Sequence, residues 1–253
     1  AWGDAITESY RLSADAVSRG EKPTRPPLLR SWLGGSAGSG KSTTLQTIVQ
    51  HLRLKFQEAA VPAVVELTAY TGVAAFNIGL GAKTSCSNFQ VFPNATWKNE
   101  LEGDAFRRLE EQWQNVALLI VDEISFIGRA LFAKMYHRLQ QARRAYFSDA
   151  GLDPSDHLFG DISLILAGDF GQLEPIDDWS MCGTESRGRD CPPRMRHLWR
   201  FQRQGQCLLR EFLVSTAETT PESVMLQNIH RSGEDMPWTE SCLCLRDFEC
   251  TQE

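Results

Sequence analysis

Gly35-Ser36-Ala37-Gly38-Ser39-Gly40-Lys41-Ser42 fits the spacing G-x-x-x-x-G-K-[ST]. Glycines at those places let backbone N–H groups turn inward on phosphate oxygens, and a helix beginning there adds its positive dipole end. Lys41 is then placed to reach the β- and γ-phosphates of a nucleoside triphosphate, and the Ser42 hydroxyl to take a position on Mg²⁺, with Thr43 opening the helix. Two acidic residues, Asp122-Glu123, close an apolar run downstream. In that position Asp122 suits the magnesium shell, and Glu123 suits orienting and deprotonating an attacking water. A third apolar run ends in Gly168-Asp169-Phe170-Gly171-Gln172. Gln172, a polar amide beside two glycines, is the candidate for sensing the γ-phosphate, and Asp169 for ordering its loop or the outer metal shell. Taken singly, each segment also has a bland reading: a glycine-rich turn, a solvated acidic turn, a solvated glutamine.

The elements that must position these groups follow from periodicity. Leu28–Leu33 predicts a short buried strand, and Thr43–Phe56 a helix with Leu45, Ile48, Val49 and Leu52 recurring at three- and four-residue steps. The continuous apolar run Val116–Val121 predicts a central parallel strand covered on both faces, and Ala63–Leu67 and Ile162–Ala167 predict further strands of the same sheet. Strands alternating with helices imply an α/β fold of the phosphate-loop NTPase (RecA-like) kind: a mostly parallel sheet with helices on both faces and ligands at the carboxyl ends of its strands. Ser223–Leu226 predicts a further strand, and Ile6–Val17 a leading helix. The helix predicted over Ile127–Ala145 carries Leu131, Met135 and Leu139 as its apolar stripe, which assigns Arg129, Lys134, Arg138, Arg143 and Arg144 to its outer face.

Composition agrees with a globular unit able to bury a sizeable core: 253 residues, 42% of them apolar. No run reaches the length of a membrane span, and the first residues lack a secretory pattern. Seven cysteines at irregular spacing predict reduced thiols inside a cell; Cys182 with Cys191, and Cys242 with Cys244 and Cys250, lack finger-like zinc spacing. By the same token Asn94-Ala95-Thr96 is a silent glycosylation pattern. A net charge of −6 opposes nucleic-acid binding as a global effect. The distribution runs the other way: Arg187, Arg189, Arg194, Arg196, Arg200 and Arg203 interleave with His197, Trp199 and Phe201. That stretch suits a solvated loop as well as a DNA clamp.

The ordered set GSAGSGKS, TAYTGVAAFNIG, TSCSNF, VDEISFIG and LAGDFGQLEPI resembles superfamily 1B DNA helicases of the Pif1 and RecD type, closest to the Pif1-like group with its Helitron-type members. The resemblance covers roughly Leu29 to Phe248. It implies an ATP- and Mg²⁺-dependent 5′-to-3′ helicase acting on single-stranded and duplex DNA in repair, recombination or telomere maintenance, in the nucleus or mitochondrion. It further implies that Thr71, Gly72, Thr84 and Ser87 line the single-stranded DNA path and that Arg231 acts as an arginine finger. Hydroxyls and glycine N–H groups at strand ends suit backbone contacts that carry no sequence information. The bland readings are a plain strand–turn–helix around Thr71 and a surface ion pair for Arg231.

The chain departs from the family pattern in places. Cys86 stands where the family usually has histidine. Tyr10 and Arg11 occupy the region of the usual adenine-reading glutamine. The motifs of a second RecA-like domain are missing, so the chain is expected to be a fragment or a degenerate single-domain copy whose partner domain belongs to a longer protein. The division along the chain is then a helix and Pro-rich lead-in over 1–27, the RecA-like core over 28–176, an irregular basic insertion over 177–210 and a closing segment with the family's fourth motif over 211–253. A nucleotide- or DNA-binding module without motor activity, and a phosphate-loop ATPase or nucleotide kinase unrelated to DNA, remain as the other two classes.

Overall fold

The computed structural model describes residues 1–22, 26–92, 96–182, 197–213 and 221–227. In chain order these form α1 (Trp2–Ser18), β1 (Arg30–Gly35), α2 (Lys41–Glu58), β2 (Val64–Ala69), α3 (Gly72–Ile78), β3 (Lys83–Thr84), α4 (Ser85–Asn88), α5 (Gly103–Trp113), β4 (Val116–Asp122), α6 (Arg129–Ala142), α7 (Arg144–Ala150), β5 (Ser163–Gly168), α8 (Trp199–Leu213) and β6 (Glu222–Leu226). The strands make one sheet in the order β3-β2-β4-β5-β1-β6, and every pairing is parallel. This is the predicted α/β architecture.

Every residue of β4 and β5 is buried. Their side chains alternate between two cores, as the two-residue repeat of a strand requires. Leu119, Val121, Leu164 and Leu166 pack with Trp113, Phe132, Met135, Leu139 and Phe212 on one face. Leu118, Ile120 and Ile165 pack with Leu45, Val49, Leu52 and Phe56 on the other. The outer strand β6 is exposed along Glu222–Met225. Among the described residues no helix is long and apolar enough to cross a membrane.

Three details differ from the sequence reading. The first strand runs two residues further, to Gly35, because its glycines pair into the sheet: Gly34 stands beside Gly168, and Gly35 beside Leu226. A Cβ on Gly34 would lie 2.1 Å from Met225 Sδ, so any larger residue there would have to displace that exposed side chain. The long helix predicted over 127–145 divides into α6 and α7 at Arg143, and three of its arginines are buried rather than outward. Arg143 donates to the carbonyls of Trp113 and Gln114 at the end of α5 and to that of Gly160 before β5, satisfying groups that burial takes from water. Arg138 donates to the carbonyls of Lys98 and Asn99 and lies 4.1 Å over the Trp97 ring. Arg129 donates to Ser180 O at 2.9 Å. Lastly, α8 starts at Trp199, so the irregular segment expected over 177–210 contains a helix, with Arg200 and Arg203 exposed on it. Arg187, Arg189, Arg194 and Arg196 lie outside the described residues.

Candidate active site

The loop after β1 and the first turn of α2 form the floor of a cleft of about 580 Å³. Gly38 and Gly40 adopt φ of 83° and 90°, left-handed values that glycine reaches without penalty. Those values turn the loop so that Ala37, Gly38, Gly40, Lys41, Ser42 and Thr43 all line the cleft. The Lys41 ammonium donates to the carbonyls of Gly35 and Ser36, the latter at 2.9 Å. Ser39 is buried at 4% exposure, and its hydroxyl has no hydrogen-bond partner among the described residues.

The opposite wall comes from the ends of β4 and β5. Asp122, Glu123, Gly168 and Gln172 face the same space. Asp122 is 6% exposed. Burial pushes its carboxyl above the usual range, while the Glu123 N–H donated to Oδ1 at 2.9 Å and the nearby Lys41 pull it back. Glu123 follows in the left-handed region, φ 54° and ψ 42°, which is costly for a residue with a Cβ. The Thr71 hydroxyl donates to Glu123 Oε2 at 3.1 Å. The Asp169 carboxylate accepts the Gly171 N–H at 2.9 Å and orders the loop that carries Gln172 onto the cleft rim. Phe170 stacks on Trp32 of β1, ring centroids 4.8 Å apart.

The structure thus gathers Lys41, Ser42, Thr43, Asp122, Glu123 and Gln172 in one cleft. Gly35 and Ser36 contribute carbonyls to the Lys41 ammonium rather than lining the space. Thr71 sits two residues past the end of β2 and Thr84 is the last residue of the neighbouring β3, where Ala69 and Thr84 are register partners. Each caps a short helix, accepting from Ala74 N–H and Ser87 N–H at 3.1 and 3.2 Å. Gly72 and Ser87 are exposed beside them. Arg231 lies outside the described residues. Sequence reasoning missed Ala74, Asn77 and Ile78, which line the cleft from α3. Gln46 Nε2 donates to Ile78 O at 2.8 Å and pins that wall to α2. The only sequence signal for it was the short amphipathic turn after Thr71-Gly72.

Residues 30–182 match the model of the PIF1-like helicase. The chain belongs to the PIF1-like helicase family. Among curated proteins it is similar to the ATP-dependent DNA helicase PIF1 of Candida albicans, 35% identical over 146 residues, covering 56% of this chain and 14% of that protein. It is likewise similar to the ATP-dependent DNA helicase RRM3 of Saccharomyces cerevisiae, 34% identical over 142 residues, covering 56% and 18%. The chain therefore spans less than a fifth of either relative. Among solved structures it is similar in fold to a Bacteroides Pif1 helicase in complex with ADP-AlF3 and ssDNA, with a TM-score of 0.53 and 21% identity over 88% of this chain and 43% of that one. The matched span holds the phosphate loop, both wall strands and the Thr71 and Thr84 turns.

Proposed function

We propose that this chain is the ATP-binding and ATP-hydrolysing half of a Pif1-like, 5′-to-3′ DNA helicase. The observation that carries the reading is the meeting of Lys41, Asp122, Glu123 and Gln172 around one cleft. The triphosphate of ATP lies along the loop from Gly35 to Thr43, with Lys41 exchanging its loop carbonyls for phosphate oxygens. Ser42 and Asp122 are the residues that would hold Mg²⁺, which when bound neutralises charge on the phosphates. The fit is supported by Asp122 itself, a buried carboxylate whose one short backbone hydrogen bond leaves capacity for a hard cation. Glu123 orients a water and takes its proton as the oxygen attacks the γ-phosphorus; the bond to the β-phosphate oxygen breaks, giving ADP and phosphate. Gln172, on a loop anchored by Asp169, reports loss of the γ-phosphate.

Single-stranded DNA runs past Thr71, Gly72, Thr84 and Ser87, which sit together beyond β2 and β3. Contacts of this kind address phosphates rather than bases and suit a motor that must step along any sequence. The cleft needs a second RecA-like domain to close over the nucleotide, and Arg231 would supply the arginine finger. Such a motor would serve repair, recombination or telomere maintenance in the nucleus or mitochondrion. The relatives' names and the bound nucleotide and ssDNA of the Bacteroides protein support this reading.

Lys41→Ala is the test. It should abolish ATP turnover, measured as phosphate release with single-stranded DNA present, while circular dichroism remains that of the parent. Parent-like turnover in that variant would remove the proposal.

A further inference from the structure

One hydroxyl stands between the two halves of this machine. Thr71 lies two residues past Ala69, and Ala69 is the register partner of Asp122 across β2 and β4, so Thr71 and Glu123 emerge side by side. The Thr71 oxygen accepts the Ala74 N–H at 3.1 Å, and its single proton goes to Glu123 Oε2 at 3.1 Å. A threonine hydroxyl has one proton and serves one acceptor at a time. The left-handed backbone at Glu123 sets the direction in which its Cβ leaves the end of β4.

We propose that Thr71 is a positioning residue that couples single-stranded DNA to hydrolysis through its one proton. Without DNA the Thr71 O–H donates to one lone pair of Glu123 Oε2 and holds the carboxylate in the Thr71-facing orientation rather than the one that addresses the water. A phosphate oxygen of single-stranded DNA accepts the Thr71 O–H instead, and the carboxylate is released to orient and deprotonate the water. The Ala74 cap is kept in both states, because it uses the hydroxyl oxygen and not the hydrogen. The inference rests on the reading of Glu123 as the base and of the β2 and β3 ends as the DNA path.

If Glu123 and DNA compete for one hydroxyl hydrogen, then removing Glu123 must strengthen DNA binding more when Thr71 is present than when it is replaced. Anisotropy of a labelled oligo-dT, without nucleotide, measures this for the parent, Glu123→Ala, Thr71→Val and the double variant. Loss of the carboxylate charge acts equally in both backgrounds and cancels in the cycle. E123A should tighten binding about fivefold more in the parent background than in the T71V background, the scale of one hydrogen bond. Equal tightening in both overturns the proposal. Should T71V not fold, Glu123→Gln against Glu123→Ala carries the test. Both remove the charge, but only E123Q keeps an oxygen able to hold the Thr71 proton, so E123A should bind oligo-dT more tightly; equal affinities overturn the proposal.

Phosphate release with and without saturating oligo-dT gives the second readout. T71V should bring the stimulated-to-basal ratio toward one even at saturation, and Thr71→Ser should restore it. Full stimulation of T71V at saturating oligo-dT would make Thr71 a DNA contact and nothing more. Absence of oligo-dT binding by the parent would instead remove the underlying DNA reading, and the coupling with it.

Discussion

Asp178→Ala tests how the segment after β5 is tied to α6 and α8. The first turn of α6 has Gly128 at its N-cap, which supplies no side-chain acceptor. The acceptor comes from 48 residues away: Asp178 Oδ2 receives the N–H groups of Ala130 at 2.9 Å and Leu131 at 3.2 Å. Its Oδ1 receives Trp179 N–H at 2.8 Å and Gln202 Nε2 at 3.2 Å, tying α8 to the same point. A Cβ on Gly128 would lie 2.3 Å from the Asp178 carboxyl carbon, so glycine is what lets the carboxylate in. Removing it leaves three backbone donors without their acceptor, at about 1 kcal/mol each, less the relief of a desolvated charge. The expected loss is about 1–3 kcal/mol, or about 2–12 °C in Tm for a chain of this size. Asp178→Asn keeps one acceptor oxygen and should cost about half as much.

The pH dependence has a defined sign. Burial raises the Asp178 carboxyl above its ordinary value even against its four hydrogen bonds. The unfolded chain therefore ionises first, and the parent loses stability as pH climbs from the ordinary carboxylate value of 3.8 to the raised folded one. D178N does not titrate, so its deficit relative to the parent should be larger at pH 4 than at pH 8 in urea unfolding. A D178A loss under about 0.5 kcal/mol, or a D178N deficit that grows with pH, would refute the reasoning.

Two further outcomes follow from the geometry. Glu123→Gln should retain nucleotide, read by isothermal titration, and lose turnover by about 10²-fold or more; loss of nucleotide binding would mean that the base is misassigned. Gly205→Ala should lower stability by at least about 2 kcal/mol in urea unfolding, because its Cβ would sit 1.9 Å from Arg129 O and force α8 off α6; a neutral result would contradict that packing.

The chemistry was legible because phosphate geometry dictates glycine spacing and places acids at strand ends, both visible along a few residues. The sheet was legible for a similar reason: between Val116 and Val121 in β4, and between Leu164 and Gly168 in β5, no polar side chain interrupts the run, as a strand covered on both faces requires. The buried arginines were not. Charges on a helix surface look solvated until the carbonyls they meet are known, and for Arg138 and Arg143 those carbonyls lie 17 to 40 residues away. Asp178 escaped notice likewise, since nothing local distinguishes a remote cap from an acidic loop residue. Thr71 was read from the resemblance as a DNA contact; its bond to Glu123 depends on the pairing of β2 with β4 and has no signature along the chain.

The backward-curled backbone at Glu123 has a practical consequence for anyone stabilising this protein. Glycine would sit there without strain and save on the order of 1 kcal/mol, so a search for thermal robustness would select it. The same exchange deletes the carboxylate that the proposed reaction needs. Here durability and turnover pull on a single codon, and a library screened on melting alone would enrich well-folded chains that no longer burn fuel.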